Sequence, residues 1–128
     1  MESGIKAVIK SVRMVAVTGA TTELGGTVTG SSGFTLNDKA AVIEGDIVLY
    51  PDGKQSLVLA ETNAVFRQQE SDGKSHSFAS TRTVIANGDK IIAAGQNSLA
   101  IIEFVGHESG LYVLDDTEVQ KLKQEGWL

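Results

Sequence analysis

The chain has 128 residues, a formal net charge of -5 at pH 7 and no cysteine. This length predicts a single domain that can bury a core of its own. Without cysteine there is neither a disulfide framework nor a thiolate metal site, and the negative charge argues against nucleic acid, which is bound through basic patches. The apolar runs are too short for a membrane helix, so we expect no stable membrane insertion.

Short apolar runs between turn residues predict an all-β protein. The alternation of residues over 1–17 indicates a first strand, with a short helix as the alternative. Residues 18–26 are predicted to be a loop. Further strands are predicted at 27–29, 34–36, 39–43, 47–50, 57–60, 64–69, 74–81, 84–86, 91–93, 99–105 and 111–114.

Three turns are well marked by their residues. Asn37-Asp38 tolerates positive φ and predicts a two-residue hairpin turn. Proline and glycine in Pro51-Asp52-Gly53 set both sides of another turn. Asp72-Gly73 predicts a hairpin with polar arms, which we interpret as a projecting edge of a β domain spanning 1–114.

The end of the chain predicts a helical tail over residues 115–128. Asp115 and Glu118 have the spacing of a capping box, and Gly126 stands where a helix commonly stops. We therefore predict a helix over Asp116–Glu125, with Trp127 and Leu128 attaching it to the body or to a partner.

One corner of the chain is predicted to occur twice. The segment 39–46 and the segment 82–89 both begin with a basic residue and end in Gly-Asp, which suggests a repeat of short β units. The predicted repeat corners are Gly45, Asp46, Gly88 and Asp89. We expect the two aspartates to accept backbone hydrogen bonds at equivalent turns instead of forming a catalytic pair.

No residue pattern predicts catalysis or a metal site. His76 and His107 are weak metal candidates because a metal needs about three converging ligands, and neither lies in a spaced motif. Gly45–Leu49 resembles the strand after the catalytic serine of serine–lysine peptidases, but upstream the nearest serine is Ser32 and the motif around that nucleophile is missing. A degenerate peptidase-like fold is therefore kept only as an alternative to a protein without enzymatic activity or cofactor.

The order of the corners resembles the PAAR-repeat proteins over about residues 15–102. In that family a Gly-Asp-x-Thr-x-His-Gly-Gly stretch precedes Gly-Ser and Asn-Gly turns and a Lys-Pro-Ala-Ala-Arg-x-Gly-Asp repeat. The corresponding segments here are 19–26, Gly30-Ser31, Asn37-Asp38 and 39–46, followed by Tyr50–Gly53 at a Cys-Pro-x-His-Gly-like turn and 82–89 as the second repeat.

This resemblance implies a conical, pseudo-threefold fold of short β-hairpins. It also implies a structural protein that caps a homotrimeric β-helical spike, one cap per trimer, in a type VI secretion system or a contractile phage tail. Such a cap sharpens the spike for membrane piercing. Compared with the family pattern, the hairpin over about residues 62–81 looks like an insertion and the tail over 115–128 like an addition. Either offers a place for an effector or a chaperone. It would be cytoplasmic until assembled, then secreted or part of a particle. A phage decoration or baseplate β protein is the alternative.

The chain departs from that family at the metal ligands of the cone's vertex. Leu24 stands where histidine is usual, Tyr50 stands where cysteine is usual, and Ala93 or Ala94 takes the place of another cysteine. We therefore expect a metal-free vertex that is held by packing. The candidate vertex residues are Leu24, Tyr50 and Asp52.

Overall fold

The computed structural model describes residues 8–61, 66–107 and 109–128. These residues form short antiparallel strands and a C-terminal helix, so the all-β prediction is confirmed. The strands are β1 Ile9–Met14, β2 Thr21–Thr22, β3 Thr27–Val28, β4 Thr35–Leu36, β5 Lys39–Ala40, β6 Ile47–Leu49, β7 Gln55–Leu57, β8 Arg67–Gln69, β9 Ser75–Ser77, β10 Ile91–Ala93, β11 Leu99–Phe104 and β12 Gly110–Val113, and the helix is α1 Asp116–Gln124.

The centre of the fold is a cycle of three backbone hydrogen bonds. The N–H of Ala16 donates to the carbonyl of Ala79 at 3.0 Å, that of Ala79 to Val42 at 2.8 Å, and that of Val42 to Ala16 at 2.8 Å. Single β-bridges join the same three segments in the same order: Val15 with Ser80, Val17 with Ala41, and Ile43 with Phe78. Segments 15–17, 41–43 and 78–80 are therefore related by a pseudo-threefold axis, and we call them the base.

Each base segment continues into the same tight turn. The N–H of Ala20, of Asp46 and of Thr83 closes a four-residue turn onto the carbonyl three residues earlier. The third turn position has positive φ in each case, held by Gly19, Gly45 and Arg82 at 99°, 87° and 75°. This is the conformation that a type II turn requires at that position.

We number the three repeat units 1, 2 and 3 by their base segments 15–17, 41–43 and 78–80. After the first corner, each unit forms a hairpin with a second corner. The second corners are Thr22–Gly25, Tyr50–Gly53 and Ile85–Gly88, and each ends in a glycine at positive φ. The chain then returns to the first corner, where Val28, Val58 and Ile91 pair with the backbone on either side of the turn. We call the end of the fold that carries the second corners the vertex.

The three hairpins close into a three-walled structure around the axis. Strands pair in the order β10-β2-β3-β6-β7, and bridges from Val58 to Ile85 and from Val84 to Lys90 complete the circuit. Alternate residues of each wall face inwards. The enclosed core consists of Ala16, Ala20, Val28, Val42, Val48, Val58, Ala79, Ile85 and Ile91.

This arrangement corrects the predicted repeat of 39–46 and 82–89. Gly45 lies at the third position of a first corner, whereas Gly88 lies at the last position of a second corner. The repeat instead relates Gly45 to Gly19 and Arg82. Asp46 and Asp89 therefore occupy different levels of the fold, and the prediction of equivalent corners is wrong because the match was made in the wrong register.

Residues 18–26, predicted as a loop, contain both corners of the first unit with β2 between them. This strand is two residues long, pairs with β3 at Thr27 and with β10 at Ile91 and Ala93, and has too few residues to produce a periodic signal.

Three β-ribbons lead into the base segments. Ribbon 1 is β4–β5, ribbon 2 is β8–β9, and ribbon 3 is β1–β11. They are equivalent because the N–H groups of Ala41, Phe78 and Val15 donate to the carbonyls of Phe34, Phe66 and Leu99, one at the root of each ribbon. The polar hairpin around Asp72-Gly73 is thus one of three equivalent parts, and its prediction as an insertion is wrong. Residues 62–65 of that segment lie outside the described residues.

The hairpin turns of ribbons 1 and 2 form at the predicted positions. Asn37 and Asp38 have φ values of 52° and 65°, as a two-residue hairpin with both residues left-handed requires. The Asp72-Gly73 turn is longer than predicted, since Gly73 closes it onto Glu70.

The C-terminal helix belongs to the same folded body. Its capping box of Asp115 and Glu118 is formed, and Gly126 follows the last turn at a φ of 85°. Val119 and Leu122 pack, with Trp127 at the edge, on apolar residues of ribbon 3 and on Ala94 and Leu114. The predicted helix is confirmed, but it is packed on the body and does not form a separate tail. None of the described helical residues builds a helix long and apolar enough to span a membrane.

Candidate functional site

The base carries an apolar cup of about 320 Å³ on the face opposite the enclosed core. Because neighbouring residues of a strand point to opposite faces, residues 15, 41 and 78 point away from the core that residues 16, 42 and 79 enter. The residues that line the cup are Val15, Phe34, Phe66, Arg67, Phe78, Leu99 and Leu111.

The cup follows the pseudo-threefold axis. Val15 and Phe78 hold equivalent positions in two base segments, and Leu99, Phe34 and Phe66 hold equivalent positions at the roots of the three ribbons. Walls from all three ribbons therefore surround the axis. Phe34 and Phe78 meet edge to face with ring centroids 6.1 Å apart, an arrangement typical of stable aromatic contacts.

The chemistry of the cup suits an apolar ligand surface. Its walls are aliphatic and aromatic apart from Arg67, whose guanidinium is already bonded to the Ser75 side chain and backbone and to Glu44. The volume is roughly twice that of an apolar cavity of about 150 Å³ that binds benzene. The cup can therefore accept several aliphatic side chains, and none of its described lining residues offers a group for acid–base chemistry.

At the vertex, a hydrogen-bonded polar cluster joins the three units. The Tyr50 hydroxyl of unit 2 donates to Asp89 Oδ2 of unit 3 at 2.7 Å, and the Asn87 amide donates to the Tyr50 oxygen at 3.0 Å. Asp89 Oδ1 accepts the backbone N–H of Leu24 in unit 1 at 3.1 Å and that of Lys90 at 2.8 Å. This cluster adds side-chain hydrogen bonds between the corners to the pairing of the walls.

The electrostatics of the cluster favour a charged Asp89 and a neutral Tyr50. Burial opposes the charge on Asp89, but hydrogen bonds from the Thr22 and Tyr50 hydroxyls and from two backbone N–H groups outweigh it and hold the pKa of Asp89 below its usual value. Burial, followed by the bond to Asp89, raises the pKa of Tyr50. The pair is thus matched as neutral donor and anionic acceptor.

The three predicted vertex residues all lie near this end, but only the Tyr50 side chain enters the cluster. Leu24 contributes its backbone N–H while its side chain is 64% exposed. Asp52 is exposed at its own corner, where Oδ1 accepts the Lys54 N–H at 2.9 Å. Their role as a functional vertex stays a prediction.

The predicted corner aspartate Asp46 lies at the base level, where it braces a first corner. Its Oδ2 accepts the N–H of Ile43 at 2.8 Å and that of Ser31 at 3.1 Å, and its Oδ1 accepts the Ser31 hydroxyl. In the third unit Thr83 does the same through its hydroxyl, which accepts the Ser80 N–H at 2.9 Å. Side-chain bracing of the turn is therefore a shared device of two units.

A second, partly buried network ties unit 3 to ribbon 3. Arg13 lies 2.6 Å from Glu61 and donates to the Thr81 carbonyl at 2.8 Å, while the Thr83 hydroxyl donates to Glu61 at 2.5 Å. Burial opposes the charge of Glu61, but Thr83 and Arg13 together hold the pKa of Glu61 below its usual value. The sequence contained no signal for this network, because its members are far apart in the chain.

Neither histidine is placed as a metal ligand would be. Nδ1 of His76 lies 4.0 Å from Glu44 Oε1 on ribbon 2, and His107 is exposed in the turn after β11. Across the described segments, no group of three or more His, Asp or Glu side chains could hold a metal. Likewise, in the part of the chain that the structure describes, no hydrogen bond joins a serine hydroxyl to a lysine amine, the pair that a serine–lysine peptidase requires.

The sequence did contain a signal for the true repeat. Val-Ala-Val-Thr-Gly-Ala at 15–20 and Ala-Val-Ile-Glu-Gly-Asp at 41–46 share three apolar residues, a polar residue and a glycine. The third member, at 78–83, is hard to recognise in the sequence because Arg82 replaces the glycine. The aromatic residues of the cup were not predicted as a site.

Comparison of the chain with protein-family models, with curated proteins and with solved structures gave no match.

Proposed function

We propose that the protein is a non-enzymatic cap for the end of a homotrimeric spike of a contractile injection machine, resembling PAAR-repeat tips. The observation that carries this proposal is the apolar cup on a pseudo-threefold axis, built by one chain from three equivalent base segments and ribbon roots. A homotrimer presents three identical elements around its axis. A single chain with three similar walls can meet all three at once.

In this proposal the axial residues at the end of the spike fill the cup. Burial of the aromatic walls supplies the main favourable term, about 25 cal/mol per Å² of apolar surface removed from water. Main-chain pairing with the open edges of the ribbons would add to it. Since few charges border the cup, binding should depend only weakly on salt.

Because the cap departs from threefold symmetry, each complex would display a single copy of its additional elements. Ribbon 3 carries the additional strand β12 and the helix α1, whereas ribbons 1 and 2 end in turns. An effector or a chaperone would find its contact on ribbon 2 or on the helix. The cap would sharpen the spike for membrane piercing and would leave the cytoplasm as part of the assembled particle.

The test is the mass of the complex with the trimeric spike protein encoded beside this chain. Light scattering coupled to size exclusion should give one cap per trimer, with little change between low and moderate salt. Phe34→Lys, which places a charge at the cup on a side chain that is 42% exposed, should abolish the complex. Leu24→Lys, which places the same charge at the vertex on a residue that is 64% exposed, is the control and should bind normally.

Two results would count against the cap. A three-to-three complex, or a trimer formed by the isolated chain, would favour the alternative of a phage decoration or baseplate protein. Equal loss of binding in the Phe34 and Leu24 variants would remove the cup from the interface.

A further inference from the structure

Asn87 and Gly88 are the only asparagine–glycine pair in the chain, and they lie in the second corner of unit 3. An asparagine in this context can deamidate, because the backbone nitrogen of the glycine can attack the side-chain amide carbon and close a cyclic imide. Glycine favours this step since it has no Cβ beside that nitrogen. Both residues are exposed, so water reaches the pair. The corner therefore contains the elements of a chemical modification site.

The reaction needs only the atoms of the pair and water. When the Gly88 nitrogen bonds to Cγ of Asn87, its proton passes to solvent. The side-chain nitrogen takes up a proton and leaves as ammonia. Water then opens the imide at either carbonyl, so the product at position 87 is an aspartate or an isoaspartate with a carboxylate in place of the amide.

In the folded protein, two hydrogen bonds within the corner oppose the first step. The Gly88 N–H donates to the Ile85 carbonyl at 2.9 Å, and Asn87 Oδ1 accepts the Asp89 N–H at 3.0 Å. The first bond occupies the proton that the attacking nitrogen has to lose. The second limits the rotation that brings the side-chain amide onto that nitrogen. The corner itself therefore slows the reaction.

Tyr50 adds a restraint that two comparable turns do not have. Asp52-Gly53 and Asp72-Gly73 make the same pair of hydrogen bonds, from the glycine N–H to a carbonyl and from the next N–H to the aspartate. Among the described residues, only Asn87 is also held by a side chain of another unit. Its Nδ2 donates to the Tyr50 oxygen at 3.0 Å, and Tyr50 in turn donates to Asp89 at 2.7 Å.

We propose that Asn87-Gly88 is a deamidation site of the native protein and that the Tyr50 hydroxyl controls the rate of the reaction. While the hydroxyl holds the amide, deamidation is slow. When that hydrogen bond opens, the amide can turn onto the Gly88 nitrogen. This proposal concerns the isolated chain and does not rest on the cap function.

The product would weaken the link between units 2 and 3. A carboxylate at position 87 has only acceptor atoms, so the Tyr50 oxygen loses the donor that Asn87 provides. The hydroxyl proton is already accepted by Asp89, and the new charge lies two residues from that buried carboxylate. An isoaspartate also adds a methylene group to the main chain of a four-residue turn. Because ammonia has left, the change is permanent.

The test follows the mass gain of about one dalton at position 87 by peptide mapping, after the full chain is incubated in warm, mildly alkaline buffer. Wild type should react at least about tenfold more slowly than an unfolded peptide of residues 82–92, because two hydrogen bonds have to break. Tyr50→Phe should react about fivefold faster than wild type, the factor that one neutral hydrogen bond of about 1 kcal/mol represents.

A matched control separates release of the amide from a general loss of stability. Gly30→Ala should destabilise the protein through a collision with the Ala40 backbone carbonyl, but it leaves the Tyr50–Asn87 contact in place. This variant should deamidate at the wild-type rate. The deamidated protein, separated by ion exchange, should melt at a lower temperature than wild type, as should Asn87→Asp.

Four results would overturn the proposal. A Tyr50→Phe variant that reacts at the wild-type rate would show that the hydroxyl does not control the reaction. Equal acceleration in Gly30→Ala would assign the reaction to the unfolded chain. Wild type that reacts as fast as the peptide would show that the folded corner gives no protection. A deamidated form that melts like wild type would contradict the expected effect on the vertex.

Discussion

Removing the Tyr50 hydroxyl should destabilise the protein by about 1.5–2 kcal/mol at pH 7. The change Tyr50→Phe deletes a 2.7 Å hydrogen bond to the buried carboxylate of Asp89, and bonds to charged groups contribute about 1.5–3 kcal/mol. The lower half of that range applies because Asp89 keeps the N–H groups of Leu24 and Lys90. Asn87 is exposed and can bond to water instead.

The cost should become smaller in acid, because a hydrogen bond to the neutral carboxyl group contributes less than one to the carboxylate. The pKa of Asp89 is lower in the folded protein than in the unfolded chain, so its contribution to stability is present above the unfolded value of about 3.9. That contribution is lost as the pH falls through the folded pKa. At alkaline pH the raised pKa of Tyr50 acts in the other direction: stability is complete below about pH 10 and falls above it, as the unfolded tyrosine ionises first.

The assay is urea unfolding at pH 7 and in acid, followed by circular dichroism. Tyr112→Phe is the matched control, because Tyr112 packs edge to face on Phe104 at 5.8 Å and is 40% exposed; it should change stability by less than about 0.5 kcal/mol. A Tyr50→Phe variant as stable as the control, or equally destabilised at both pH values, would refute the vertex cluster.

Two substitutions test the repeat itself. Arg82→Gly should stabilise the protein by up to about 1 kcal/mol, because a left-handed conformation costs a non-glycine residue roughly 1–2 kcal/mol. Arg82 adopts a φ of 75° at the position that Gly45 occupies in the equivalent turn. A loss of stability in thermal unfolding would contradict the assigned register. Gly30→Ala should destabilise the protein by more than about 2 kcal/mol, since the added Cβ would collide with the Ala40 backbone carbonyl where ribbon 1 leads into the base. Gly33→Ala is the control and should be nearly neutral, because the nearest neighbour of its Cβ would be 3.7 Å away. Equal melting temperatures of the two variants would contradict this packing.

Local chemistry made part of the fold predictable. The Asn37-Asp38 turn and the helix with its Asp115–Glu118 capping box follow from residues that are neighbours in the chain. Each of these devices is complete within a few residues, so its energetics can be worked out from the sequence.

The register of the repeat was not predictable in the same way. It is defined by hydrogen bonds among the backbones of Ala16, Val42 and Ala79, and a backbone N–H or carbonyl is the same for nearly every residue. The hairpin arm of unit 2 is also longer than those of units 1 and 3, and Arg82 replaces a turn glycine. A sequence match therefore favoured the wrong Gly-Asp pair.

The candidate sites were likewise only partly predictable from the sequence. The sequence by itself determined that the protein is built of short strands, and that it has no cysteine to serve as a thiolate ligand. Only the tertiary structure brought Tyr50 to Asp89 and placed Phe34, Phe66 and Phe78 around one axis. The reason is physical: side chains far apart in the chain meet only after the three walls have paired, and that pairing is directed by backbone geometry and burial, not by a local pattern.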